Sequence, residues 1–257
     1  MKIISVVNQK GGVAKTTTVI NVAGVLSAIN YKVLIIDFDP QGNASSGLGF
    51  LSTDREKNIY KVMVEEGNIN ENIQSTNIPN LDILMANIDL AAVEIELINR
   101  EKRESILKNA ISQLEKQYDY ILIDCPPSLG MLTINSLTAS DSVLIPLQCE
   151  FFAIEGLAYL LETIERIKIN FNQKLIINGV LLTMYDKRNK LTNAVEKDVR
   201  GCLGDLVYET VIPRNVRISE AASRGLPAIL YDSSCSGSVS YMKLVEEMIK
   251  REEKVDE

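Results

Sequence analysis

The stretch Asn8-Gln9-Lys10-Gly11-Gly12-Val13-Ala14-Lys15-Thr16-Thr17 decides how the rest of the chain is read. It follows the apolar run Ile3–Val7, which reads as a buried strand, and it opens the helical pattern Lys15–Asn30. Strand, glycine turn and helix in that order make the corner that a phosphate loop requires. Gly11 and Gly12 let the backbone turn its N–H groups inward. The helix start adds free amides and the positive end of its dipole. Lys15 supplies a point charge for β- and γ-phosphates, and the Thr16 hydroxyl is placed to ligate Mg²⁺. The pattern G-x-x-x-x-G-K-[ST] is not met, because Gln9 and Ala14 stand at its glycine positions and Lys10 is an extra lysine. Alanine replaces glycine only at negative φ, so Ala14 is expected inside the first helical turn. A plain Gly-Gly turn accounts for the glycines but not for Lys10, Lys15, Thr16 and Thr17 together.

Outward from this corner, short β-branched runs alternate with longer helical patterns. Val33–Ile36, Leu81–Met85, Tyr120–Ile123, Ser142–Pro146 and Leu175–Leu182 read as further buried strands. Amphipathic stretches lie at Asp89–Gln117, Gly130–Ala139, Glu155–Ile169 and Leu191–Gly201, with a last helix over Val239–Arg251. This order predicts an α/β fold: one doubly wound, mostly parallel sheet flanked by helices. Leu51–Asn80 is polar and rich in asparagine, and is expected to be a surface excursion with one short helix. No linker composition divides the 257 residues, so a single domain over 1–257 is expected.

Two of the strands end in carboxylates. Leu34-Ile35-Ile36-Asp37-Phe38-Asp39-Pro40-Gln41-Gly42-Asn43 carries two, and Tyr120-Ile121-Leu122-Ile123-Asp124-Cys125-Pro126-Pro127 carries one. Ligands of such sheets bind beyond the carboxyl ends of the strands. Asp37, Asp39 and Asp124 are therefore expected to converge on a metal and the terminal phosphate. Any one of them alone reads equally well as a turn or cap residue.

Composition narrows the chemistry. Histidine is absent, which excludes Ser-His-Asp and Cys-His catalysis and imidazole zinc sites. Cys125, Cys149, Cys202 and Cys235 form no C-x-x-C pair and are expected to be buried, reduced thiols. No apolar stretch suits a signal peptide or a membrane span. Net charge is −7, yet Leu181–Arg224 holds 8 Lys/Arg against 6 Asp/Glu, a locally positive segment.

The motifs together resemble the ParA/Soj chromosome- and plasmid-partitioning ATPases, in the deviant-Walker group of P-loop NTPases that also holds MinD and the nitrogenase iron protein. They are the lysine-rich loop Lys10–Thr17, Asp37–Asn43, Asp124-Cys125-Pro126-Pro127-Ser128-Leu129-Gly130 and Ile212-Pro213-Arg214-Asn215-Val216-Arg217-Ile218-Ser219-Glu220-Ala221. The resemblance implies a homodimer that sandwiches ATP and Mg²⁺. On this reading Lys10, Gly11, Gly12, Val13, Ala14, Lys15, Thr16 and Thr17 hold the phosphates, with Lys10 reaching into the partner subunit. Lys10, Lys15 and Asp39 are the catalytic set, Asp39 positioning the attacking water. Thr16, Asp39 and Asp124 serve the metal, Asp124 through water, and Asp37 supports the segment after Asp39. Met184, Pro213 and Asn215 line the adenine.

The resemblance further implies nonspecific DNA binding by Arg188 and Arg217, with Lys187 and Lys190 in support. It implies slow intrinsic hydrolysis stimulated by a ParB-like centromere-binding partner, and a cytoplasmic protein that joins the nucleoid in its ATP state. Because the first strand starts at Lys2, no helix-turn-helix precedes the loop and site-specific DNA binding is not expected. The alternative is a MinD-like membrane-cycling ATPase for division-site placement. The tail Lys250–Glu257, with three basic and four acidic residues, suits an anionic membrane poorly. A cluster-carrying reductase is disfavoured because Pro126–Thr133 contains no cysteine.

Overall fold

The computed structural model describes residues 1–256. Glu257, the end of the expected domain, and the side chains of Lys254, Val255 and Asp256 lie outside the described residues. Seven strands form one sheet: β1 (Lys2–Val6), β2 (Val33–Asp37), β3 (Ile73–Ser75), β4 (Leu81–Leu84), β5 (Tyr120–Asp124), β6 (Ser142–Gln148) and β7 (Ile176–Thr183). Their order is β3-β4-β2-β5-β1-β6-β7, and only the β3–β4 pairing is antiparallel. The chain leaves β1 toward one edge and, after β5, crosses to the other. The carboxyl ends of β1, β2 and β5 therefore open side by side.

The strands are apolar throughout because both faces are covered. Along β1, Ile3 joins a core with the helices Met131–Ala139 and Ala153–Asn170, while Ile4 and Val6 join a core with α1 (Lys15–Ala28) and the helix Ser236–Asp256. That is the period-two alternation of a strand buried on both sides. In the last helix Tyr241, Leu244, Val245 and Met248 are fully buried against the α1 side. The apolar positions of this helix are thus core packing. No described helix is long and apolar enough to cross a membrane.

Three expectations need correction. Asp89–Gln117 is not one helix but short turns at Ile88–Ala92, Val93–Glu96, Arg103–Ser105 and Ile106–Ile111. Lys102 sits in the left-handed region at φ 53, which a continuous right-handed helix through this stretch would not allow, although the apolar spacing carries on across the break. Leu51–Asn80 holds two short α-helices, Ile59–Met63 and Ile69–Asn72, as well as β3. Ile59, Met63 and Ile69 are fully buried, so part of this polar segment closes the core. Of the four thiols, Cys125 and Cys149 are buried, Cys235 is half-buried and Cys202 is exposed; all are free.

Candidate functional site

The phosphate loop is strung between strand ends. The Asn8 side chain donates to the Pro146 carbonyl at the end of β6 (2.7 Å) and accepts from the Lys10 amide (3.0 Å). The buried Thr183 hydroxyl, at the end of β7, donates to the Val13 carbonyl (3.0 Å). The loop is thereby fixed at both flanks. Gly12 turns it with φ 76. The helix start at Lys15 has no side-chain cap and no acidic residue in its first turn, so its amides remain available to an anion.

Ala14 contradicts the reading from sequence. It lies outside the helix, at the cap position, with φ 68 and ψ 31. A left-handed alanine costs on the order of 1 kcal/mol. The anchored Val13 carbonyl imposes this geometry on the peptide that leads into Ala14.

Lys15 is nearly closed off from solvent, at 7% exposure, and its ammonium donates to the Lys10 carbonyl (3.2 Å). Burial lowers its pKa, opposed by the nearby charges of Asp124, Cys125 and Asp39. Register places Asp37 beside Asp124 on neighbouring strands. Both are completely buried. Asp37 Oδ2 accepts from the amide (2.8 Å) and hydroxyl (2.6 Å) of Ser45, which ties the segment after Asp39 to β2. Among the described residues, no hydrogen bond reaches Asp37 Oδ1 or either Asp124 carboxylate oxygen. Burial raises Asp37 to about 6. It also raises Asp124 well above the ordinary carboxylate range, with the Asp37 charge adding to the effect; the nearby Thr16 hydroxyl and Lys15 oppose it. Cys125, beside Asp124, is raised to about 12 by burial and is an inert packing thiol.

Buried carboxylate oxygens without partners fit a cation or its water shell. Among the described residues, no three His, Cys, Asp or Glu side chains form a metal cage. That donor set fits Mg²⁺, which keeps waters and takes one or two protein ligands plus phosphate oxygens. Thr16, in the cavity lining, and the buried Asp124 are residues that could hold it. Asp39 is also nearly buried, and its carboxylate accepts from the Gln41 amide (3.0 Å) at the cavity wall.

The cavity over this corner measures about 540 Å³ and is lined by Gly11, Gly12, Ala14, Lys15, Thr16, Thr17 and Asp39. A second space of about 230 Å³ shares Ala14, Thr17, Met184 and Ile218 with it and is lined as well by Pro213 and Asn215. The chain Ile212–Arg214 runs alongside the residues after β7, with Tyr185 bridging to Pro213, and so delivers the expected base-lining residues to one place. The Asn215 side chain is engaged as a helix cap: it accepts from the Arg217 amide (2.8 Å) and donates to Ser236 (2.7 Å). Sequence reading missed Asn21, Gln41, Asn43 and Pro127 in the larger space, and Ile218, Ser219 and Tyr241 in the smaller. The Val216–Ser223 helix that carries two of these was signalled only by the Asn215 cap.

The remaining candidates lie away from the cavity. Lys10 is half-exposed, and its ammonium is ion-paired with Glu150 of the same chain. Arg188 forks onto Asp186 through two contacts of 3.0 Å. Arg217 pairs with Glu220 at 2.8 Å and approaches Asp232 at 3.8 Å. Both arginines are exposed, and Lys187 and Lys190 are exposed near Arg188.

A family model described as an AAA domain matches residues 1–177. The chain is 50% identical over 254 residues to the chromosome partitioning protein ParA of Caulobacter vibrioides, covering 98% of this chain and 95% of that one. It is 51% identical over 247 residues to the sporulation initiation inhibitor protein Soj of Bacillus subtilis, covering 96% and 98%. A solved structure, cobyrinic acid a,c-diamide synthase from Mycobacterium smegmatis with bound ATP analog and magnesium, matches with a TM-score of 0.87 at 34% identity, over 97% and 94% of the two chains.

Proposed function

The chain belongs to the ParA/Soj family of partitioning ATPases, and from that premise we propose that it is an ATP-driven dimeric switch. It binds DNA nonspecifically and hydrolyses ATP to move a chromosome or plasmid. The observation that carries the reading is the electrostatic imbalance at the strand ends. A buried lysine and an uncapped helix start face two buried carboxylates, three of whose four oxygens lack a partner among the described residues. The first two suit a polyphosphate, and the carboxylates suit its cation.

In this reading Lys15 and the loop amides hold the phosphates, and the space beside Met184 and Pro213 takes the adenine. Mg²⁺, when bound, neutralises charge on the β- and γ-oxygens. Asp39 orients the attacking water. Lys10 exchanges Glu150 for the partner subunit's nucleotide when two subunits meet. The Lys10–Glu150 pair is exposed, so breaking it costs at most about 1 kcal/mol. Hydrolysis without a partner is slow, since positioning alone carries it, and a ParB-like protein stimulates it. Arg188 and Arg217 each carry a carboxylate partner that DNA phosphates must displace, which favours binding by a dimer with doubled contacts. The packed C-terminal stripe supports DNA rather than a membrane as the surface visited. The protein then cycles between cytoplasm and nucleoid.

The test is retention on double-stranded DNA across a salt series with Mg²⁺ and either ATP or ADP. Retention is expected with ATP only, weakening as salt rises. Arg217→Glu is expected to dimerise with ATP yet lose about tenfold or more in DNA affinity. Equal retention with both nucleotides, or capture by anionic vesicles instead of DNA, overturns the reading.

A further inference from the structure

Arg55 is buried to 7% exposure in the polar segment after the Asp39 loop. Among the described residues its side chain forms no ion pair with any carboxylate. All its partners are neutral oxygens. One terminal nitrogen donates to the Ala86 carbonyl (3.2 Å), and the other to the Ser46 hydroxyl (2.7 Å) and the Phe50 carbonyl (3.1 Å). Nε has no partner. The Arg55 backbone is fixed as well, since Asn58, the cap of the Ile59–Met63 helix, donates to its carbonyl (2.8 Å).

Burying a guanidinium without a counter-charge costs several kcal/mol, and an apolar residue of similar size is often neutral or better for stability. What only the planar fork provides is simultaneous donation to acceptors on separate segments. Ser46 and Phe50 flank the far side of the loop that begins at Asp39. Ala86 follows β4 and is fully buried. Gly42 completes the arrangement: it sits at φ 60, and a Cβ there would fall 1.8 Å from an Arg55 terminal nitrogen. The front of the same loop, through Asp39, Gln41, Asn43 and Gly47, lines the nucleotide cavity.

We propose that Arg55 is a positioning residue for hydrolysis: it clamps the Asp39–Phe50 loop from behind against the end of β4, and so sets where Asp39 stands in the cavity. The inference rests on the reading of Asp39 as the residue that orients water. Phosphate and base contacts come from other elements, so Arg55 should act on turnover rather than on nucleotide affinity.

The experiment compares Arg55→Met, Arg55→Lys, Arg55→Ala and Asp39→Asn in the full chain, by thermal unfolding, ATP titration and turnover with DNA present. Arg55→Met and Arg55→Lys are expected to unfold near the wild-type temperature and to bind ATP with affinity within about threefold. Their kcat is expected to fall on the order of 10–100-fold, the scale of an ångström-level misplacement. Millimolar guanidinium, far below denaturing concentrations, is expected to restore part of the rate to Arg55→Ala and none to Asp39→Asn. A folded Arg55→Met that turns over at the wild-type rate, while Asp39→Asn does not, overturns the role of Arg55 alone. Parallel loss of stability, ATP affinity and turnover without guanidinium rescue makes Arg55 structural and also overturns it. Wild-type turnover by Asp39→Asn overturns the Asp39 reading itself.

Discussion

The two ends of the cleft are built on opposite electrostatic terms. At the phosphate end, Lys15, Asp37 and Asp124 are charged or titratable groups withdrawn from water, and three carboxylate oxygens there lack partners. At the proposed base end, Met184, Ile212, Pro213 and Ile218 share the wall with the polar Thr17, Arg214, Asn215 and Ser219, and no buried charge stands among them. Two of its polar side chains are engaged: Asn215 caps a helix, and the Tyr241 hydroxyl lies 3.3 Å from that of Thr18. An unpaired buried charge is costly until a ligand satisfies it, whereas a pocket without buried charge gains mainly by contact area. Affinity should therefore depend on the triphosphate far more than on the base, and damage should be unequal between the ends.

The largest effect is expected from Lys15→Ala. Removing the cation leaves the triphosphate and the buried carboxylates facing each other, and ATP affinity should drop by about 100-fold or more. Pro213→Ala at the other end should cost less than about fivefold, the scale of partial apolar contact. Titration calorimetry with ATP reads both. Comparable losses at the two positions would break the contrast, and tight ATP binding by Lys15→Ala would remove the phosphate-loop assignment.

The next effect is on pH dependence. Burial raises the pKa of Asp37 to about 6 and raises Asp124 above its ordinary value. An acid with a raised folded-state pKa gives stability that is fully present below its unfolded value of about 4 and lost as pH rises through the folded value. The ligand-free protein should therefore lose on the order of 2–3 kcal/mol from Asp37 between about pH 4 and 7. The carboxylates held low by ion pairs and hydrogen bonds, Asp186, Glu196, Asp232, Glu246 and Glu247, act with the opposite sign, their stability being lost as pH falls. With no histidine in the chain, no imidazole titration overlays the buried pair between pH 5 and 7. Mg²⁺ and ATP should stabilise more at pH 8 than at pH 5. Denaturant unfolding of wild type and Asp37→Asn at both pH values checks this. A wild-type stability that is flat or rising from pH 5 to 7 contradicts it.

The contrast between the ends also explains what the sequence disclosed. An apolar run that ends in aspartate is a local signal, so Asp37, Asp39 and Asp124 could be placed at strand ends, and the register then brought Asp37 and Asp124 side by side. Lys10 through Thr17 is contiguous and was legible for the same reason. The base end is assembled from residues far apart in the chain, and its shell beyond Met184, Pro213 and Asn215 left no local pattern. Arg55 was invisible because an arginine in a polar, asparagine-rich stretch reads as surface; only packing shows that it is enclosed. The break at Lys102 was hidden because apolar spacing persists through a residue whose backbone has changed hand.

The smallest effect separates backbone strain from side-chain contact at the two ends. Each end has a non-glycine residue in the left-handed region, Ala14 at φ 68 and Met184 at φ 48. Ala14 contributes little more than a methyl group, so Ala14→Gly should relieve strain and stabilise the ligand-free chain by about 0.5–1 kcal/mol. Met184 is half-buried and lines both spaces. The same relief at Met184→Gly is offset by lost packing of about 1–3 kcal/mol, so that variant should be neutral or less stable. Thermal unfolding of the two variants side by side measures the difference. If Ala14→Gly instead destabilised the chain, the anchored Val13 carbonyl would not be forcing a strained alanine, and the methyl group itself would be holding the loop in shape.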